Sequence, residues 1–76
     1  MYTYTTYCKP SVRIFIRRHE EGKDKVEAIN CDDTTGKWFT SSADITFIKH
    51  GLSTGAHVVL TEQEAREILK NHPHAF

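Results

Sequence analysis

Five histidines and two cysteines are the residues of this 76-residue chain that would suit a metal ion. Zinc sites declare themselves by spacing, because a short loop or one helical turn must bring two ligands to the same ion. Here Cys8, His19, Cys31, His50 and His57 are scattered, and only His72 and His74 stand close together. That pair flanks Pro73, past the expected end of a helix, where a terminal segment is expected to fray. A histidine there also interacts favourably with the helix dipole. No metal and no cofactor is expected.

A nucleophile fares no better. It needs a positioned base and usually a sharp turn or helix end to present it, and neither a G-x-S-x-G nor a cysteine motif with supporting spacing occurs. Cys8 and Cys31 lie in strand-like sequence, where cysteine commonly acts as a small buried hydrophobe. Two cysteines are too few for a disulfide scaffold, and with no apolar leader the simpler expectation is a cytoplasmic chain with two reduced thiols. Asp32 and Asp33 are adjacent carboxylates beside Thr34, Thr35 and Gly36, a composition that makes turns. Gly51-Leu52-Ser53-Thr54-Gly55 has the small residues of a phosphate loop but lacks its lysine and following helix. A chain this short struggles to build both a core and a catalytic cleft, so the expectation is a protein that is not an enzyme.

Recognition residues are better represented. Arg13, Phe15 and Arg17 alternate along one expected strand, with Tyr7, Lys9 and Arg18 nearby, and Trp38 and Phe39 are adjacent. Aromatic side chains and arginine dominate the energetics of protein interfaces, so these five residues, Arg13, Phe15, Arg17, Trp38 and Phe39, are the candidate binding set for a protein partner. The alternative is a single-stranded nucleic acid stacked on Phe15 beside Arg13 and Arg17. Against it, the facing strand carries Glu27 and the turn before it carries Glu20, Glu21 and Asp24, which cancel the field. A homodimer through a strand edge is a further expectation for a small open sheet.

The elements that must position these residues are mostly strands. Tyr2, Tyr4, Thr6 and Cys8 alternate with Thr3, Thr5 and Tyr7 until Lys9-Pro10 interrupts. Val12, Ile14 and Ile16 mark an inward face. A turn around Gly22 and a return from Val26 to Cys31 complete a hairpin over residues 12–31. Residues 37–40 form a short strand. Ile45, Phe47 and Lys49 alternate with Thr46, Ile48 and His50, which predicts a strand with apolar groups on both faces. Gly51 to Gly55 then reads as a loop and His57 to Leu60 as the last strand.

Helix signals are confined to the end. Thr61 is an N-cap with Glu64 completing a capping box, Leu60 and Ala65 can staple the entry, and Ala65, Ile68 and Leu69 share one face. A helix over about residues 62–71 is predicted, stopped by Asn71 and Pro73. The fold class is therefore α+β: an antiparallel, meander-like sheet of about four to six strands with one C-terminal α-helix packed on it, in a single domain spanning 1–76.

Composition bounds the rest. Ten basic and ten acidic residues give no net charge, which argues against capture of a polyanion or an anionic membrane by bulk electrostatics. The charges are nonetheless segregated: Lys9, Arg13, Arg17 and Arg18 precede a stretch of six acids between Glu20 and Asp33, so opposite charges should meet across the hairpin. No run approaches the ~18 apolar residues of a membrane span. In size and style, though on no motif, the chain resembles the small accessory proteins of bacteriophages and mobile elements. That resemblance implies an inhibitor or modulator that docks on a host enzyme, anti-CRISPR-like or transcription-modulating, and assigns no residues.

Overall fold

In the computed structural model, which describes every residue except Pro10 and Val12, the expected α+β class is present as five strands and two helices. The elements are β1 (Tyr2–Tyr7), β2 (Phe15–Glu20), β3 (Val26–Asn30), β4 (Phe39–Thr40), α1 (Ile45–Thr54), β5 (His57–Leu60) and α2 (Glu62–Ile68). The sheet order is β4-β3-β2-β1-β5 and every neighbouring pair is antiparallel. The first four strands form the expected meander, and the chain then crosses through α1 to add β5 on the far side of β1. The Pro10 interruption and the inward position of Val12 fall outside the described residues.

The hairpin of β2 and β3 has Phe15 opposite Asn30 and Arg18 opposite Glu27. Its turn uses Gly22 at φ 83°, a left-handed conformation that a side chain would strain. The opposite charges do meet: Arg18 Nε donates to Glu27 Oε1 at 3.1 Å. Ile16 is fully buried as expected, but Ile14 is 44% exposed because the strand begins only at Phe15. Asp33 builds the second turn, its Oδ1 accepting from the Thr35 amide at 3.1 Å and the Thr35 hydroxyl at 2.8 Å.

One element departs from expectation. Residues 45–54, read as a strand and a loop, are the helix α1. Asp44 is its N-cap, with Oδ1 accepting from the Phe47 amide at 2.9 Å, and Gly55 at φ 80° is its left-handed C-cap. Both caps fit the same short apolar run that also alternates with period two, and tertiary packing decides between the readings. Ile48 and Gly51, three apart on one helical face, are buried against the sheet. A side chain at residue 51 would overlap the His57 ring, so the glycine that weakens the helix locally is what lets α1 seat.

Register places the two helices on opposite faces of the sheet. Tyr4, Ile16, Ile29 and Leu60 share one face and form the main core with Ala65 and Leu69 of α2. The other face carries Thr5, Arg17, Ala28 and His57, with α1 over its β5 side. The α2 capping box forms as expected, with Glu64 donating its backbone N–H to Thr61 Oγ1 at 3.1 Å and Glu64 Oε1 accepting from the Thr61 amide at 2.9 Å. The helix is shorter than expected, ending at Ile68 with Leu69 as C-cap.

The terminal segment does not fray. His72 is buried with Nε2 3.1 Å from the Asn30 carbonyl oxygen, and Ala75 is buried with its carbonyl accepting from Trp38 Nε1 at 2.7 Å. Phe76 lies against Tyr4, Trp38 and Arg66. Burial of Ala75 and an indole in need of an acceptor hold this strap where composition alone suggested a loose end.

Candidate binding surface

The face that carries α1 is the less completely covered of the two, and Arg17 sits at its centre. Arg17 stands on the middle strand β2, opposite Thr5 of β1 and Ala28 of β3. Its guanidinium carbon lies 5.1 Å from the Tyr7 ring centroid and 5.8 Å from that of Phe47, and Nη2 donates to the Tyr7 hydroxyl at 3.3 Å. Among the described residues no carboxylate lies within ion-pair distance of it, whereas Arg18 and Arg66 both have one. Its Nε is buried without a hydrogen-bond partner.

Phenylalanines surround this cation. Phe15 and Phe39, brought together by strand pairing, meet edge to face at 6.0 Å. Phe39 is 47% exposed and Phe47 46%. Arg17 lines two adjoining depressions, one with Phe15, Phe39 and Ser42 and one with Ala43, Asp44 and Phe47. Beneath Phe47 the His57 ring is buried, 5.4 Å from Phe47 and 4.7 Å from Tyr7. Burial, and then the nearby charge of Arg17, hold its imidazole below the ordinary histidine range, so His57 supports α1 as a neutral ring.

Of the five expected binding residues, three converge here: Phe15, Arg17 and Phe39. Arg13 does not. It precedes β2, so the period-two alternation that would place it beside Arg17 has not begun. It lines a depression with Glu64, Glu67 and Ile68 of α2 instead. Trp38 lies just before β4, which is shorter than the expected strand over residues 37–40, and its side chain goes to the face opposite that of its neighbour Phe39. It packs on the main core, with the Arg18 guanidinium 4.0 Å above its ring and Tyr4 6.3 Å away. Phe47 and Tyr7 complete the surface. Phe47 went unnoticed because its helix was read as a strand; the Asp44 cap three residues earlier is the signal that finds it.

The remaining chemical groups do not assemble. No group of three or more His, Cys, Asp or Glu side chains able to hold a metal occurs among the described residues. Cys8 is exposed rather than buried, and Cys31 packs half-buried against the core; both are free thiols. Burial, and then the Asp32 charge, push the Cys31 thiol up, opposite to what a nucleophilic cysteine needs. None of the described helices is long and apolar enough to cross a membrane. No known protein family, no curated protein and no solved structure matches the chain.

Proposed function

We propose that the chain is a non-enzymatic binding module that docks on a protein partner through the face formed by Phe15, Arg17, Phe39 and Phe47. The observation that carries this reading is the exposure of Phe39 and Phe47, at 47% and 46%, beside a guanidinium that has no carboxylate partner among the described residues. An apolar rim around one partly buried arginine is the composition of an interface hot spot. Inhibition or modulation of a host enzyme, cytoplasmic and phage-like in style, is the biological form this reading takes.

The nucleic-acid alternative is the weaker account because the arginines are dispersed. Arg18 faces the opposite side, held by Glu27, Tyr2 and Trp38, and Arg13 lies beside the glutamates of α2. A single strand needs a cationic track for successive phosphates, and one guanidinium does not provide it. Affinity capture with the wild-type chain and with Phe39→Ala and Phe47→Ala separates the two. A stoichiometric protein lost with both variants supports docking. Retention of single-stranded DNA that falls steeply with salt, or turnover of a small molecule with no partner recovered, overturns it.

A further inference from the structure

We infer that Arg17 is the recognition point for a carboxylate side chain of the partner, presented on a peptide segment whose neighbouring residues are apolar. This rests on the docking face proposed above and names what that face reads. Arg17 is already ordered by two rings and one hydroxyl, so little side-chain freedom remains to be lost when an acid arrives. Guanidinium presents a planar fork of donors, and a carboxylate is the protein group that accepts two of them side by side. Asp44 lines the same depression, but its Oδ1 is committed to the Phe47 amide and it makes no ion pair with Arg17.

The surroundings set the rest of the partner's chemistry. Phe15, Phe39 and Phe47 would exclude water around the new pair, which strengthens it and demands apolar neighbours on the other side. A lone acid within an apolar segment matches one cation within an apolar rim; a polyanion leaves its other charges over phenylalanine and finds Arg13 and Arg18 out of reach on the opposite side.

Selection of a displayed library of random dodecapeptides on the full chain tests this without knowledge of the natural partner. The enriched peptides should share an Asp or Glu flanked by aliphatic or aromatic residues. For the best peptide, fluorescence anisotropy should show binding weakened about tenfold or more by Arg17→Gln, and equally by changing the peptide's acid to its amide. Making both changes should weaken binding no more than either alone, because the two report one interaction. Arg17→Lys should recover only part of the affinity. If Arg17→Gln does not fold, by its Trp38 fluorescence, Arg17→Lys and the peptide amide carry the comparison. Enriched peptides without acids, sensitive to Phe39→Ala but indifferent to Arg17→Gln, would overturn the carboxylate while leaving the docking face. Failure to enrich any peptide sensitive to Phe39→Ala or Phe47→Ala would overturn the face itself, and displacement by oligo(dT) would assign it to nucleic acid.

Discussion

Arg17 and Arg18 are neighbours in sequence and opposites in circumstance. Strand geometry sends them to different faces, and each is stacked between two aromatic rings: Tyr7 and Phe47 for one, Tyr2 and Trp38 for the other. Among the described residues only Arg18 of the two has an acid, Glu27 at 3.1 Å, and its face is closed by α2, a terminal strap and an indole hydrogen bond, whereas α1 covers only the β5 side of the other. The same residue type in the same strand is thus structural on one side and available on the other. What separates the roles is whether the fold itself supplies the counter-charge and the lid.

The largest test of that contrast uses another adjacent pair. Trp38→Ala should destabilise the chain by about 3 kcal/mol in chemical denaturation, because it removes the ring between Arg18 and the core and orphans the Ala75 carbonyl. Phe39→Ala, one residue on and on the open face, should cost about 1 kcal/mol or less. A domain of this size has only about 4–11 kcal/mol to lose, so the first change brings it near unfolding. Equal costs would abolish the distinction between the faces.

Arg18→Ala comes next, at about 2 kcal/mol, through the ion pair and the two stacked rings, while Arg17→Ala should cost under about 1 kcal/mol. Gly51→Ala probes how firmly α1 is seated on the open face. Helix propensity alone would favour alanine by about 1 kcal/mol, yet overlap with His57 should produce a net loss of about 2 kcal/mol. Adding His57→Ala should relieve that overlap, visible as a midpoint above the sum of the single changes. Thr61→Ala, distant from both arginines, should cost about 1 kcal/mol through the lost cap.

The smallest expected effect is a pH dependence on the open face. His57 binds a proton less readily folded than unfolded, so acidification favours the unfolded chain. The stability it contributes is intact above the ordinary histidine pKa of about 6.5 and declines as pH falls from there toward the lower folded value. Denaturation midpoints across that interval should show this slope in the wild type and a flatter one in His57→Phe. A slope unchanged by that substitution would place the titrating group elsewhere.

Much of the architecture was legible because several local signals agreed. The β2–β3 hairpin combined alternation, a glycine turn and opposite charges, and α2 combined a cap, its reciprocal glutamate and a three-four apolar spacing. Residues 45–54 failed because Ile45, Phe47, Ile48 and Leu52 suit either period, and the deciding fact, a glycine facing His57, is a contact between elements. The candidate binding set was legible in type but not in grouping. Arg13 and Trp38 belong with the other three by chemistry, yet both stand before their strands begin, and Arg13 lies beside α2 while Trp38 packs on the main core. The terminal strap was invisible for a similar reason, since His72 and Ala75 find their partners at Asn30 and Trp38, far along the chain.

That strap also sets an order of events during synthesis. The first strand made, β1, lies between β2 and β5, and the core it belongs to is finished by Ala75 and the acceptor that residue offers to Trp38. A growing chain can close the β1–β2–β3 hairpins early, but Trp38 lacks its acceptor, and Tyr4 its contact with Phe76, until residues 75–76 have been made. The last contacts of this core are therefore made well after the hairpins, and a chain cut short before Ala75 leaves the Trp38 indole without its acceptor.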